Sequence, residues 1–294
     1  MMSDKIIVFG ASGFLGSCLY KYFKYQGREV IGTYFNSKKE GLVKFDLSEP
    51  NLESIDVSDV KYAVITSAIT SVGECYKYPE RSYKINVEGT KSLIKQLWKR
   101  GIFPIWFSSD YVFDGNKGNY NETDETNPCN IYGEHKKEVE DFFLSSGKDF
   151  LILRTCKLYS VKEKDDSIIW EIARKLKNDK EIYCFSDQIM SFTDVRDLVR
   201  CLDLMIEKSL RGLYNVVAPE FFSRVDFARL VKERMGINSG EIVAGSVDRL
   251  DLPFKIPKNI TLDSGKLREA IDFEFRKVGE SLDEMVGENN FDKS

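Results

Sequence analysis

Short apolar runs alternate with amphipathic stretches through the first half of the chain. The runs are five or six residues long and rich in Ile, Val and Phe, as is typical of parallel strands buried on both faces. They fall at Lys5–Phe9, Val30–Phe35, Tyr62–Thr66, Phe103–Ser108 and Phe150–Arg154. Helices are expected between them, from Phe14 to about Gln26 and within Pro79–Lys99. This βαβ order predicts an α/β fold built on a Rossmann-type, doubly wound parallel sheet.

The pattern is more mixed after Arg154. Helices are predicted at Ile168–Lys177, Asp194–Glu207, Ser223–Met235, Thr261–Ile271 and Val278–Val286, a strand at Gly212–Val217, and a frayed tail over Gly287–Ser294. We therefore divide the chain into one domain over residues 1–155 and a smaller α/β domain over residues 156–294. About residues 187–217 are expected to return to the first domain.

The first predicted strand leads directly into a glycine-rich turn, Gly10-Ala11-Ser12-Gly13-Phe14-Leu15-Gly16. A dinucleotide-binding turn needs Gly10 for the bend, Gly13 so that a pyrophosphate can approach the backbone, and Gly16 so that the helix can pack on the strand. The amides at the start of that helix would face the phosphates. The spacing is G-x-x-G-x-x-G rather than the commoner G-x-G-x-x-G. The strand before it and the helix after it favour a dinucleotide site over a purely structural turn.

Two hydroxyl groups and one ammonium group are spaced so that they could act on a single carbonyl oxygen. Tyr132 and Lys136 are four residues apart and would share one face of a helix, where the ammonium is expected to lower the pKa of the phenol. Ser109 follows a predicted strand. The set predicts proton donation to an oxygen whose carbon receives hydride, and therefore a reductase. A lone Tyr-x-x-x-Lys is common by chance, so the prediction depends on the glycine turn as well.

Three motifs fall at the carboxyl ends of predicted strands, where ligands bind in doubly wound sheets: Gly10–Gly16, Ser67-Ala68 and Ser108-Ser109. The end of the second strand reads Tyr34-Phe35-Asn36-Ser37-Lys38-Lys39 and lacks the acid that would hold the ribose 2′-hydroxyl of NAD. Asn36, Ser37 and Lys38 could bind a 2′-phosphate, so NADPH is favoured and NADH is the alternative donor. The competing interpretation is that the two lysines form only a solvated turn. Asp46-Leu47 would lie beside the adenine.

The composition excludes several other classes of function. The 294 residues are 42% hydrophobic and carry a net charge of −4, which argues against a nucleic-acid or anionic-membrane partner. No signal-like or membrane-spanning run is present, so we expect a cytoplasmic protein. The six cysteines have no C-x-x-C spacing, which predicts neither a zinc site nor a disulfide framework. The single histidine, His135, is expected to be a partly exposed neighbour of the site.

These motifs resemble the extended short-chain dehydrogenase/reductases, and within them the dTDP-4-dehydrorhamnose reductase-like sugar-nucleotide 4-ketoreductases. The resemblance covers nearly the whole chain and includes the stretches Ser67-Ala68-Ile69-Thr70, Lys84-Ile85-Asn86, Phe107-Ser108-Ser109-Asp110-Tyr111-Val112-Phe113-Asp114-Gly115, Glu122-Thr123-Asp124 with Pro128, Tyr132-Gly133-x-x-Lys136, Asp187-Gln188 and Thr193. It implies hydride transfer to C4 of a 4-keto-6-deoxyhexose joined to a nucleoside diphosphate, in deoxysugar biosynthesis. Tyr132 would donate the proton, Lys136 would bind the ribose, and Ser109 would hydrogen-bond the carbonyl oxygen.

With this resemblance, the first domain is expected to bind NAD(P) and the second to bind mainly the nucleotide sugar. The expected cofactor-binding residues are Gly10, Ser12, Gly13, Phe14, Leu15, Gly16, Tyr34, Asn36, Ser37, Lys38, Asp46, Leu47, Ser67, Ala68, Ile69, Asn86, Ser108, Tyr132 and Lys136. The expected substrate-binding residues are Thr70, Ser109, Asp110, Tyr111, Val112, Phe113 and Lys157. Asp110, Tyr111 and Phe113 could instead be packing residues beside the strand end.

Several positions depart from the family pattern. Lys157 stands where a tryptophan is usual, Ser191-Phe192 replaces Ala-Pro, and Ile256-Pro257-Lys258-Asn259 lacks the usual arginine. Cys18 stands where some members carry a glutamate used in a metal-linked dimer, so no metal is expected and a homodimer is left open. Two alternatives stay open. One is an epimerase or dehydratase that retains NAD, and the other is a non-catalytic NADP-binding regulatory subunit like the partner of methionine adenosyltransferase.

Overall fold

The computed structural model describes residues 4–162 and 167–291, with side chains through residue 286. The chain divides into two compact units. The first comprises Met1–Val112, Thr126–Arg154 and Ser209–Tyr214, and the second comprises Phe113–Glu125, Thr155–Lys208 and Asn215–Ser294.

Twelve strands and ten α-helices are formed by the described residues, and we number them in chain order. The strands are β1 Lys5–Phe9, β2 Val30–Tyr34, β3 Leu42–Lys44, β4 Val60–Ile65, β5 Phe103–Ser109, β6 Leu151–Thr155, β7 Lys157–Tyr159, β8 Glu181–Phe185, β9 Ile189–Asp194, β10 Gly212–Asn215, β11 Phe221–Ser223 and β12 Glu241–Gly245. The helices are α1 Phe14–Tyr25, α2 Val72–Lys77, α3 Pro79–Tyr83, α4 Thr90–Lys99, α5 Ile131–Leu144, α6 Ile168–Lys177, α7 Val195–Glu207, α8 Arg224–Arg234, α9 Gly265–Ala270 and α10 Val278–Phe291.

A seven-stranded sheet in the order β10-β6-β5-β4-β1-β2-β3 forms the centre of the first unit. The interior strand β1 runs parallel to both neighbours, with Val8 opposite Gly32 and Val64. Ile6 to Phe9 are fully buried, as expected for a strand covered by helices on both faces. The prediction of a Rossmann-type, doubly wound sheet is therefore confirmed. The short strand β3 was not predicted, because three partly exposed residues give no periodic signal.

Several predicted elements differ in detail from those observed. The stretch Pro79–Lys99 is helical throughout, as expected, but a π-helix, Lys84–Gly89, lies between α3 and α4. The helix predicted over Thr261–Ile271 is shorter in the structure, where α9 covers Gly265–Ala270. At the end of the chain, α10 continues to Phe291 where we expected a frayed tail, and residues 292–294 lie outside the described residues.

The unit boundaries also differ from the expected ones. Of the segment 187–217, only residues 209–214 group with the first unit, because β10 joins the seven-stranded sheet whereas β9 pairs with β7 and β11. Residues 113–125, expected in the first domain, group with the second. There the Tyr120 amide donates to the Thr261 carbonyl, and the Asp263 amide donates to the Tyr120 carbonyl.

The second unit contains smaller sheets than the first, one of three strands in the order β11-β9-β7 and one of two parallel strands, β12-β8. An aromatic cluster fills its core. The fully buried rings of Phe192 on β9 and Phe227 on α8 stack with 3.8 Å between their centroids. In the described part of the chain, no helix combines the length and the hydrophobicity that a membrane span requires.

We predict that Phe227→Ala lowers the free energy of unfolding by about 3 to 5 kcal/mol, because it removes a buried ring and leaves a cavity beside Phe192. The matched control is Phe221→Ala, since Phe221 is 60% exposed and its loss should cost less than about 0.5 kcal/mol. Urea denaturation of the three proteins measures both changes. Equal stabilities for the two variants would contradict the assignment of the stacked pair to the core.

Candidate functional site

The glycine turn between β1 and α1 has the conformation that the sequence predicts. Gly10 has a φ of +90°, which L side chains rarely adopt, and its amide donates to the Thr33 hydroxyl at 3.1 Å. A Cβ atom on Gly16 would lie 2.1 Å from the Gly10 carbonyl oxygen, so only glycine lets the helix approach the strand this closely. Gly13 is the N-cap of α1 and no side chain caps this helix end in the described residues, so its amides can face a phosphate.

A cleft of about 450 Å³ opens beside this turn, within the first unit. Thirteen of the nineteen expected cofactor-binding residues line it, namely Gly10, Ser12, Gly13, Phe14, Leu15, Gly16, Asn36, Ser37, Asp46, Leu47, Ser67, Ala68 and Ile69. Thr70, which we expected to contact the sugar, lines the same cleft. Eight further lining residues were not among the expected site residues, namely Phe35, Phe45, Ser48, Thr66, Ser71, Glu74, Arg81 and Ile85.

Six expected cofactor-binding residues do not line the cleft: Tyr34, Lys38, Asn86, Ser108, Tyr132 and Lys136. Next to Lys38, Lys39 reaches back over the glycine turn, and its Nζ donates to the Ser12 carbonyl oxygen at 2.9 Å. The cation nearest the turn is thus Lys39, which the sequence pattern could not distinguish from Lys38. Its position depends on how the chain folds back after β2.

Asn86 supports the wall of the cleft from behind. Its Oδ1 accepts from the Ile69 amide at 2.8 Å, and its Nδ2 donates to the Ile69 carbonyl at 2.9 Å. The backbone N–H and C=O of Ile69, which lines the cleft, are therefore both held by the buried side-chain amide of Asn86. Asn86 lies in the π-helix, a local distortion that is frequent at functional sites.

Tyr132 and Lys136 lie on the face of α5 that packs against β5. The Asn130 side chain caps the helix by accepting from the Gly133 amide at 3.0 Å. Tyr132 and Lys136 are 8% and 6% exposed. The Lys136 ammonium donates to the Phe107 carbonyl at 2.7 Å and lies over the Trp106 ring. Ser109, at the end of β5, hydrogen-bonds with the Tyr132 phenol, so the structure brings the three expected catalytic side chains together.

Burial changes the ionisation of both α5 groups. It raises the pKa of the Tyr132 phenol well above its usual value, although the hydrogen bond with Ser109 opposes this effect. It lowers the pKa of Lys136 to about 8, against the opposing charge of Glu140. The expected lowering of the phenol pKa by Lys136 is not found, because burial is the largest influence on that pKa and raises it. Tyr132 is therefore protonated at neutral pH and available as an acid.

A buried ion pair behind this site was not expected from the sequence. Glu140 accepts from the Ser108 hydroxyl at 2.5 Å, and Arg154 donates to its two oxygens at 2.9 and 2.6 Å. Ser108 is thus turned toward Glu140 and away from the cleft. The available signal was the spacing, since Glu140 follows Lys136 by four residues and so lies on the same helical face.

The expected substrate-binding residues have different environments. Asp110 is buried and accepts from the Ser109 hydroxyl at 2.8 Å, and the Tyr111 ring lies 5.8 Å from the Tyr132 ring. Val112 is fully buried. Phe113 and Lys157 belong to the second unit. Phe113 is stacked on Tyr120 with no exposed surface, which fits the packing alternative, and Lys157 is exposed at the start of β7.

His135 is buried, at 5% exposure, where we expected partial exposure. Its ring packs edge-on against Tyr83, and its Nδ1 lies 3.5 Å from the Asn86 amide nitrogen. Burial lowers its pKa, and the nearby Glu138 carboxylate opposes this effect. The histidine therefore contacts the support of the cleft wall and is neutral at pH 7.

In the segments that the structure describes, no three His, Cys, Asp or Glu side chains are grouped so as to hold a metal ion. All six cysteines fall within these segments, and none of them forms a disulfide. Cys75 is buried beside the Ile69 carbonyl, and burial raises the pKa of its thiol.

A glycine-lined cleft and a buried Ser-Tyr-Lys group at strand ends of a parallel sheet define a Rossmann-type protein of the extended short-chain dehydrogenase/reductase class. The family model for the RmlD substrate binding domain matches residues 4–291, and the chain belongs to this family. The resemblance deduced from the motifs is therefore confirmed.

Three relatives illustrate the range of the family. The chain is 27% identical over 266 residues to the "Probable low-salt glycan biosynthesis reductase Agl14" of Haloferax volcanii, covering 87% of this chain and 88% of the relative. It is 25% identical over 272 residues to methionine adenosyltransferase 2 subunit beta of Danio rerio, and the match covers 90% of this chain and 84% of that relative. The crystal structure of dTDP-4-dehydrorhamnose reductase from Bacillus anthracis in complex with NADP has a TM-score of 0.85 and 25% identity, covering 98% of this chain and all of that one.

We predict that His135 titrates below the usual histidine pKa of 6.5, because burial disfavours the imidazolium. Since His135 is the only histidine, its ring protons can be followed directly by NMR as the pH is lowered. Glu138→Gln should lower the midpoint further, because it removes the carboxylate that favours the charged form. A midpoint at or above 6.5 in the unmodified protein would contradict the buried position.

Proposed function

We propose that this protein uses NADPH to reduce the 4-keto group of a nucleoside-diphosphate 4-keto-6-deoxyhexose, in deoxysugar or polysaccharide biosynthesis. The observation that carries the proposal is the buried group of Ser109, Tyr132 and Lys136. A hydroxyl, a protonated phenol and an ammonium around one oxygen can bind and protonate a carbonyl during its reduction. The reductases of H. volcanii and B. anthracis support the same assignment.

The cleft fits a nicotinamide dinucleotide. Gly10, Gly13 and Gly16 leave room for a pyrophosphate against the α1 amides, and Asp46 and Leu47 line the part assigned to the adenine. No acid occurs among residues 34–39 after β2, and the Lys39 ammonium is held beside Ser12, which favours a cofactor with a 2′-phosphate. When bound, the reduced nicotinamide would supply the hydride.

Each of the three side chains has a distinct role in this proposal. Ser109, whose hydroxyl donates to Asp110 in this structure, would turn that proton to the carbonyl oxygen and keep the oxygen near the phenol. Tyr132 donates its proton to that oxygen, and because burial raises its pKa, the phenol is fully protonated before the reaction. Lys136, charged below about pH 8, binds the ribose and stabilises the negative charge that develops on the oxygen. In this scheme the first unit binds the cofactor and the second mainly the nucleotide sugar.

A second candidate is a non-catalytic NADP-binding regulatory subunit. Its support is the 25% identity to methionine adenosyltransferase 2 subunit beta over 90% of this chain. Such a protein would bind the cofactor in the same cleft without turnover of any sugar nucleotide. An epimerase or dehydratase that retains NAD is less well supported, because these enzymes need no 2′-phosphate site and the related dehydratases carry Asp-Glu at the position of Asp110-Tyr111.

We expect the purified protein to oxidise NADPH, followed at 340 nm, with one member of a panel of dTDP-, GDP-, UDP- and CDP-4-keto-6-deoxyhexoses. Tyr132→Phe should lower turnover by about 10²-fold or more while NADPH binding is retained, because only the proton donor is lost. Cofactor binding without reduction of any panel member would favour the regulatory candidate. Full turnover by Tyr132→Phe would remove the phenol from the mechanism.

We predict that Lys39→Met weakens NADPH binding roughly tenfold, since a hydrogen bond to a charged group is worth at least ~1.5 kcal/mol. NADH binding should be nearly unchanged. Lys38→Met is the matched control, because it removes the neighbouring ammonium while Lys39, the lysine bonded to Ser12, is kept. Fluorescence titration of the unmodified protein and the two variants with each cofactor gives six dissociation constants. An equal loss for NADPH and NADH in Lys39→Met would mean that Lys39 supports the turn through Ser12 and does not bind the 2′-phosphate.

A further inference from the structure

One face of α5 carries three buried polar side chains at four-residue spacing, Tyr132, Lys136 and Glu140. Each of them meets a different residue at the end of β5. Lys136 donates to the Phe107 carbonyl, Glu140 accepts from the Ser108 hydroxyl, and Tyr132 hydrogen-bonds with Ser109. Two of these contacts involve groups assigned to catalysis. The contact between Glu140 and Ser108 has no role in the mechanism described above.

Glu140 is 1% exposed, and both of its oxygens accept hydrogen bonds from the strands of the sheet. Oε1 accepts from Ser108 on β5 and from Arg154 Nε on β6, and Oε2 accepts from Arg154 Nη2. One carboxylate therefore connects α5 to two neighbouring strands, and one of these bonds is made to the residue directly before Ser109. Bidentate, charge-assisted bonds fix geometry more tightly than single neutral ones.

The same carboxylate lies on the face of α5 that carries the Lys136 ammonium. The groups that face Lys136 are Tyr132, His135 and Glu140 from its own helix, Cys75 from α2, and the Trp106 ring and Phe107 carbonyl from β5. Among these, Glu140 is the only carboxylate. Burial disfavours the ammonium, and Glu140 is the largest opposing influence on its pKa.

We propose that Glu140 is a positioning residue, which holds the Ser109 end of β5 against α5 through Ser108 and supplies the compensating negative charge for the buried Lys136 ammonium. The geometry favours this over a purely structural ion pair, because Arg154 alone would satisfy a structural carboxylate. The third bond, to Ser108, and the proximity to Lys136 both direct Glu140 toward the reaction site. The inference rests on the proposed reductase function for its kinetic test.

The test compares Glu140→Gln with Glu138→Gln, a matched change on the same helix. Glu138 is partly exposed and bonds to Tyr83 and Lys91, so its loss leaves Ser108 and Lys136 untouched. In the unmodified protein kcat/KM should fall as the pH rises through about 8, where Lys136 loses its proton. Removing the negative charge of Glu140 lowers the pKa of Lys136 further, so in Glu140→Gln the fall should move down by about one pH unit or more. An unmoved alkaline limb in Glu140→Gln would overturn the electrostatic role.

Ser108→Ala tests the positioning role separately, because it keeps the Glu140 charge and folds without an unpaired buried ion. We expect a roughly tenfold lower kcat with the alkaline limb unmoved, since orientation is lost while the Lys136 charge is retained. An unchanged kcat in Ser108→Ala would overturn the positioning role. The loss of one partner of a buried ion pair can prevent folding. If Glu140→Gln fails to fold for this reason, Ser108→Ala still tests the positioning role.

A measurement that needs no turnover separates this inference from the proposed function. Lysine labelled with ¹³C at Cε reports the protonation of Lys136 by NMR, and Lys136→Arg assigns the resonance. The midpoint should be lower in Glu140→Gln than in the unmodified protein and unchanged in Glu138→Gln. A protein that reduces no sugar nucleotide would overturn the reductase proposal alone, whereas equal midpoints in Glu140→Gln and the unmodified protein would overturn the role of Glu140.

Discussion

The burial of one polar face of α5 against β5 is the constraint on which the site depends. Removing charges from water is costly unless each finds a partner, and this face carries both Lys136 and Glu140. The ammonium is satisfied by the Phe107 carbonyl, and the carboxylate by Ser108 and Arg154. A slip of one helical turn would leave both charges without these partners. The helix is therefore held in one register, and the Tyr132 phenol is held beside Ser109 with it.

The cleft wall is linked to the same helix through a single amide. Asn86 binds both backbone groups of Ile69, which lines the cleft, and its nitrogen lies 3.5 Å from Nδ1 of His135 on α5. The π-helix that contains Asn86 gives it this position between the cleft and α5. Because the amide is buried, loss of either contact would leave a polar group unsatisfied. A change in the cleft wall is thus expected to alter the contacts of α5, and a change in α5 is expected to alter those of the cleft wall.

Local signals in the sequence were sufficient to predict the glycine turn and the order of the strands. The positive φ of Gly10 and the close approach at Gly16 both arise within one strand–turn–helix unit. Local signals were also sufficient to place Tyr132 and Lys136 on one face of a helix, by their four-residue spacing, and Ser109 at the ligand-binding edge of the sheet, by its position after a strand. Local signals were insufficient to predict the contacts of Lys39 and Glu140. The role of each depends on where a distant segment folds, Ser12 for Lys39 and Arg154 for Glu140, and spacing along the chain carries no such information.

The expected effect of Lys136 on the Tyr132 phenol fails for a physical reason that changes the chemistry. Four-residue spacing predicts that two side chains share a face, but it does not predict how strongly burial acts on each of them. Burial favours the neutral form of both groups, so it raises the pKa of the phenol and lowers that of the ammonium. The phenol is thereby a weaker acid than in water. Proton donation must then be driven by the negative charge that grows on the substrate oxygen during reduction, and an ammonium kept charged by a buried carboxylate is suited to stabilise that charge.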